Sequence, residues 1–258
     1  MANLAVDCIH RAVAVNELSE LTELESLDLG VYEGVPIDIL GSKNFFGLKA
    51  LSLSESKGRK LDLSPLSRYA NLRKLFVAGQ SKGIDAIGNL NSLESLGLSM
   101  IGKKVQLAFV SKLPALSRLK LLLGGRENID EIASPSLERL EVCRLQGLTA
   151  VELSNFPRLT EVDIEDQPRL TALDLTGLET LTRIRVANCP HVSVLSGLSS
   201  LHGIKAMHIY RTALDFERVL SDGLPRTLEK FNFYSLSSKQ DKAIHEKLAS
   251  LGLWAKGA

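Results

Sequence analysis

Residues 137–186 read LERLEVCRLQGLTAVELSNFPRLTEVDIEDQPRLTALDLTGLETLTRIRV. One phrase, apolar-x-x-apolar-x-apolar, returns in it every 11 residues as LERLEV, LTAVEL, LTEVDI, LTALDL and LTRIRV. The last four residues of each phrase alternate exposed and buried, the period-two mark of a short strand with one face in a core. Outward from this stretch the phrase continues at Leu24, Leu48, Leu72, Leu93 and Leu116 on one side and at Ile204 and Leu228 on the other, at intervals of 21 to 24 residues. A unit of that size cannot bury its own apolar face, so it must stack on its neighbours and pair strands in parallel, about 4.8 Å apart. Eleven residues cannot complete such a coil, but two half-units make 22. Continuity with both flanks assigns the sheet strands to the series Leu137, Leu159, Leu181. The phrases at Leu148 and Leu170 then fall on the opposite wall, as extra short strands near 148–153 and 170–175. The expected class is α/β: a right-handed solenoid of about ten coils with a parallel β-sheet on its concave face.

The return segments carry a second signature. Residues 61–77 read LDLSPLSRYANLRKLFV, 84–98 read IDAIGNLNSLESLGL and 192–201 read VSVLSGLSSL. Ser-Pro and Gly-Asn punctuation with leucines every three residues predicts tight 3₁₀ turns rather than full helices. The D-x-S-P-L…N-L…L cadence resembles internalin-like bacterial leucine-rich repeats across most of residues 15–235, and the central stretch resembles bacterial repeats of the L-T-x-L-D-L type. The resemblance implies a leucine-rich-repeat solenoid whose convex side is mostly 3₁₀ turn and loop. A strict repeat of this kind places Asn at the ninth position, where its amide satisfies backbone groups at the bend. That position here holds Tyr32, Ser56, Gln80, Ile101, Gly124, Leu145, Gln167, Cys189, Thr212 and Leu236. Irregular coil bends are therefore expected.

Solenoid ends need lids. Residues 238–250, SKQDKAIHEKLAS, predict a capping helix with Ser238 as N-cap, Ala243, Ile244, Leu248 and Leu251 on the apolar face, Gly252 as the stop and Trp254 packed beside it. At the front, Val6 to Leu18 reads as an atypical first coil or a short helix. The division is residues 1–23 as N-terminal cap or atypical coil, 24–236 as repeats and 237–258 as the capping helix, all within one domain.

Composition narrows the function. Apolar residues make up 45% of 258 and the formal net charge is +1, which supplies a continuous core and gives no basic excess for nucleic acid or an anionic membrane. The basic clusters between Lys57 and Lys60 and at Lys103–Lys104 read as solvated loops. Met1 to Arg11 lacks a basic stretch followed by an apolar core, and no run is long enough to span a bilayer. Three cysteines, Cys8, Cys143 and Cys189, argue for a reducing compartment. A cytoplasmic location is the expectation.

Catalytic signals are weak. Gly97 to Lys104 approximates a phosphate-binding loop, but Lys104 stands where a Ser or Thr should meet magnesium, and Gly97 falls inside a repeat strand. The pairs Cys8–His10 and Cys189–His191 lie about seven coils apart, too far for a shared zinc site. No nucleophile elbow is present and the histidines are scattered, with His202 and His245 read as surface residues. The reading is of a non-enzyme that needs no metal and no cofactor.

The exposed strand positions say more. Their N-terminal rows are small and polar, whereas residues 118–234 are dense in Arg, Glu, Asp and Tyr. Arg and Tyr are enriched at protein hot spots, and opposite charges fix register and steer encounter. The expected partner-binding residues are Arg118, Lys120, Arg139, Glu141, Glu161, Asp163, Glu165, Arg183, Arg185, His208, Tyr210 and Tyr234. The alternating charges could instead neutralise one another between adjacent coils. The function read from this pattern is a monomeric module binding a protein partner on the concave face. An alternative is a neutralising (immunity) protein for a bacterial toxin, or a secreted effector acting through its repeats alone.

Overall fold

A computed structural model describes residues 3–6, 18, 20–30, 35, 38–54 and 60–254. The chain forms two compact units, Met1–Gly124 with Glu131–Ser134, and Gly125–Asp130 with Pro135–Ala258. Cys8, His10, Tyr32, Ser56 and the Lys57 to Arg59 part of one basic cluster lie outside the described residues.

In the first unit β1 (Asn3–Val6), β2 (Ser26–Gly30), β3 (Ala50–Ser54), β4 (Lys74–Ala78), β5 (Ser95–Ser99) and β6 (Arg118–Gly124) form a parallel sheet in chain order. The register aligns Leu27, Leu51, Leu75, Leu96 and Leu119 in one inward column and Leu29, Leu53, Val77, Leu98 and Leu121 in the next. All ten are at most 3% exposed, and each such side chain contributes about 1.5–3 kcal/mol of apolar burial. The returns are 3₁₀ turns as expected, at Ser64–Arg68, Ile84–Asn89 and Ala108–Lys112. Asp62 of the D-x-S-P cadence accepts a hydrogen bond from Ser64 N at 2.9 Å, which closes the turn before Pro65. Between Val6 and Leu18, read as an atypical first coil or a short helix, the chain lies outside the described residues; ahead of it Asn3–Val6 pairs with β2 in the same register as the later coils. Its phrase, Met1-x-x-Leu4-x-Val6, stands 23 residues before Leu24.

In the second unit the elements are β7 (Arg139–Leu145), β8 (Glu161–Glu165), β9 (Ala172–Asp174), β10 (Arg183–Cys189), β11 (Val194–Ser196), β12 (Ala206–Thr212), α1 (Phe216–Ser221), β13 (Lys230–Tyr234) and α2 (Ser238–Ser250). The strands β7, β8, β10, β12 and β13 pair in parallel in that order, so the series Leu137, Leu159, Leu181 does lead into the sheet. The expected strand at 170–175 is β9, and it pairs with β11 on the opposite wall. No strand forms at 148–153, which is extended only briefly before a 3₁₀ turn at Leu153–Asn155. A Cβ on Gly147 would sit 2.5 Å from Gly125 O, so the chain enters this segment hard against the preceding coil. Glu127 O accepts from Thr149 N at 3.0 Å, but no ladder follows. β11, by contrast, occupies a segment expected to be wholly 3₁₀; β9 provides it with a partner, and the 3₁₀ turn shrinks to Leu198–Ser200.

The bends are regular, contrary to expectation. Gly79, Met100, Leu123, Arg144, Asp166, Asn188 and Arg211, each two residues after the last inward apolar residue of its strand phrase, all adopt positive φ between 51° and 66°. The residue after each one turns inward at the ninth position. Gln80 there is fully buried and its Oε1 accepts from Leu61 N at 2.8 Å. Gln167 donates through Nε2 to Val142 O at 3.2 Å and to Glu165 O at 2.6 Å. Cys189 donates its thiol to Ala187 O, and Thr212 Oγ1 accepts from Leu214 N. Glutamine, cysteine and threonine thus do what the missing asparagines would have done.

At the C-terminal end α2 spans the expected residues and Gly252, at φ 73°, follows its end. Three details depart from the reading. Ser237 rather than Ser238 is the N-cap, and only Ile244 and Leu248 of the expected apolar face are buried. Ala243 and Leu251 are exposed, because a helix lying along one sheet edge needs only a narrow stripe. The short helix α1 was not legible beforehand; Asp215 caps it by accepting from Arg218 N at 3.1 Å.

If Gln167 carries the bend of its coil, Gln167→Leu strands two buried carbonyls. The expected loss is about 2 kcal/mol, read from the midpoint of urea unfolding; a variant as stable as the parent would contradict the role.

Candidate protein-interaction face

Side chains at the outward positions of a parallel ladder stand in rows, one residue per strand. The second unit has three such rows: Arg139–Glu161–Arg183–Ala206–Lys230, Glu141–Asp163–Arg185–His208–Asn232, and Cys143–Glu165–Ala187–Tyr210–Tyr234. Arg118 and Lys120 belong to β6 of the first unit, in register with Ser95 and Gly97. The twelve expected residues are therefore divided between the units, two in the first and ten in the second.

On β7, β8 and β10 five of the charges are consumed internally. Arg139 pairs with Glu161 at 3.1 Å. Arg185 reaches Asp163 at 2.8 Å and grips Glu165 with both terminal nitrogens at 2.9 and 3.0 Å. These bonds hold the Glu165 carboxyl below its ordinary range. Asp163 shifts the other way, because burial outweighs the same arginine. Arg185 in turn is held more firmly protonated, first by its bonds to Glu165. A two-fork arrangement of this kind fixes planar geometry and leaves little for a partner to claim. Just outside the rows, Arg144 binds Asp166 at 2.8 Å.

Cys143 and Cys189, the described cysteines, carry no reactive signal. Burial pushes the Cys189 thiol up to about 11, and burial followed by Glu165 raises that of Cys143. Cys189 points inward to backbone carbonyls, so its sequence neighbour His191 has no thiolate to share a metal with.

Strands β12 and β13 look different. His208 is held below its usual range by burial and by Arg183, Lys230 and Arg185, so it is neutral at pH 7. Neutral Nδ1 then accepts from Asn232 Nδ2 at 3.1 Å, and Asn232 Oδ1 is left buried without a partner. Beyond them Tyr210 and Tyr234 meet edge to face at 5.6 Å. Tyr234 also touches Trp254 and His245, whose rings stack at 3.8 Å. Arg211 lies over Tyr210, 5.5 Å from the ring centre. Tyr210 is 40% exposed. His245, read as a plain surface residue, is instead the pillar of this cluster: its Nε2 is 3.0 Å from Phe233 O.

The first unit offers a shallower feature. A hollow of about 360 Å³ lies over β2 to β6, floored by Ser26, Ala50, Ser52 and Gly97 and bordered by Asp28 and Phe76. Phe76 lies across Gly97, where a Cβ would meet its ring at 2.6 Å. The approximate phosphate loop thus reduces to a strand glycine beneath an aromatic ring.

No protein-family model matches the chain, and no curated protein does. Solved structures do match. A leucine-rich-repeat protein of Leptospira interrogans superposes with a TM-score of 0.58 at 17% identity, over 86% of this chain and 64% of that one. Internalin C2 of Listeria monocytogenes gives 0.50 at 20% identity, over 82% and 80%. The fold is that of the bacterial leucine-rich-repeat proteins. At these identities the likeness is one of architecture, and the repeat rows above belong to this chain alone.

Arg185→Ala would leave Asp163 and Glu165 facing each other without a counter-charge. At about pH 7 the half-exposed pair makes the expected loss about 1–2 kcal/mol. Glu165's depressed ionisation stabilises the fold above the carboxylate range and is lost as pH falls through it, while protonation relieves the cost of charged Asp163. The variant's deficit should therefore shrink near pH 4; urea unfolding with an equal deficit at both pH values would contradict the pairing.

Proposed function

We propose that this chain is a non-enzymatic protein-interaction module and that its partner docks on the sheet face of the second unit, centred on β12 and β13. The observation that carries the reading is the half-exposed aromatic cluster of Tyr210, Tyr234 and Trp254. It sits at one end of a face on which Arg139, Glu161, Asp163, Glu165 and Arg185 are already paired. Tyrosine and tryptophan supply large contact area at low entropic cost, and they dominate the energetics of interfaces. The strands beneath them are held on both sides by the ladder or by α2, so little ordering is required on binding. Of the expected contact residues, His208, Tyr210, Tyr234 and Arg183 stay in the docking set. Arg139, Glu161, Asp163, Glu165 and Arg185 are read as the scaffold beside it. Arg118, Lys120 and Glu141 are assigned no contact.

The module is read as acting alone, as a monomer in the cytoplasm. Absence of a helix long and apolar enough to cross a membrane, among the described residues, is compatible with that location.

The test starts from affinity capture in the source organism, followed by calorimetry with the captured protein. Tyr210→Ala with Tyr234→Ala is expected to weaken binding by about 2 kcal/mol or more. Lys112→Glu, on the return side, should leave it unchanged. The opposite pattern, loss on the return side and none on the face, would sink the reading.

A further inference from the structure

We infer that the partner presents an acidic side chain to the gap over Ala206, between Arg183 and Lys230, and an apolar side chain to Tyr210 and Tyr234. The inference rests on the docking face proposed above and names the chemistry that fits it.

The row Arg183–Ala206–Lys230 spans three adjacent strands, so the two cations rise from backbones about 10 Å apart with only a methyl group between them. Neighbouring arginines and lysines are neutralised by acids: Arg139 by Glu161, Arg185 by Asp163 and Glu165, and Lys205 by Glu229 at 2.6 Å. Arg183 and Lys230 have no acidic partner among the described residues. On the side that the two cations share, cross-strand pairing supplies no acid, because the place between them is Ala206. Glu161, on the other side of Arg183, is held by Arg139. The two cations share one gap, and both act electrostatically on His208 in the adjacent row. Two like charges left side by side on a rigid sheet favour an anion from outside.

The next row on the same two strands holds a second unmet demand. Asn232 is 6% exposed and its Oδ1 has no hydrogen-bond partner. That oxygen is closed off from solvent, so it lies out of reach of a docked segment and Asn232 contributes no contact. The third row is aromatic. On β12, Ala206 and Tyr210 are four residues apart, a span of roughly 13 Å for extended chain. A partner segment in extended conformation therefore needs its acid and its apolar residue about four positions apart. A charge-matched surface of this kind is sensitive to salt.

The test uses the full chain, labelled with nitrogen-15, and two synthetic peptides: acetyl-Glu-Gly-Ser-Gly-Phe-amide and the same peptide with Lys in place of Glu. The acidic peptide should move the amide resonances of residues 206–211 and 230–234 saturably at millimolar concentration. The lysine peptide should not. The double variant Arg183→Glu/Lys230→Glu, with an unchanged unfolding midpoint as the check on folding, should lose the response by about tenfold or more. Equal responses to both peptides, no response to either, or a double variant that responds like the parent would each overturn the inference. The captured partner separates this failure from failure of the docking face. If Arg183→Glu/Lys230→Glu leaves its affinity intact while Tyr210→Ala/Tyr234→Ala weakens it, the face stands and the acidic contact falls.

Discussion

Within each unit, successive coils must present their strands at the same height, because a parallel ladder offers backbone bonds only in register. The inward leucine pairs enforce this: a slip of one residue would turn both columns outward at once. Outward side chains then have no freedom of placement. Residues 21 to 24 positions apart become immediate neighbours, and whatever charges they carry must meet. The second unit's face follows from that constraint rather than from any local motif.

The consequence is a partition that the residue types alone do not announce. Arginine and glutamate on adjacent coils read equally well as contact residues or as one another's partners. Arg185 between Asp163 and Glu165 resolves that ambiguity for one half of the face, since both terminal nitrogens of its guanidinium are engaged. Where Ala206 replaces the acid, the same geometry leaves cations unanswered. The functional reading therefore depends on a small residue as much as on large ones.

The rows themselves were legible, because the period-two phrase sets both the strands and their phase. So was the C-terminal helix, from its polar pattern and its glycine stop. The N-terminal strand was overlooked because its phrase, Met1-x-x-Leu4-x-Val6, opens on methionine where its neighbours open on leucine. The strand expected at 148–153 carries the same phrase as its neighbours, but the backbone bond from Thr149 N to Glu127 O is not followed by a ladder, which the phrase does not announce. The bends misled for a different reason. Lack of asparagine suggested irregularity, whereas Gln80 reaches a backbone amide and Gln167 two carbonyls with one more methylene. His245 escaped notice because its ring meets Trp254 only after α2 has folded back on the sheet.

Among the described residues, seven coils place a residue in the left-handed region where the strand ends, and six of these residues are not glycine. The fold prescribes their backbone but says nothing about their chemistry: methionine, leucine, two arginines, aspartate and asparagine all serve. The border where strands exit is thus a margin of interchangeable side chains beside an invariant spine. Arg211 leaning on Tyr210 shows how a residue from that margin becomes part of the recognition surface without touching the core. New specificities can be written there, one coil at a time, while the apolar columns stay unedited.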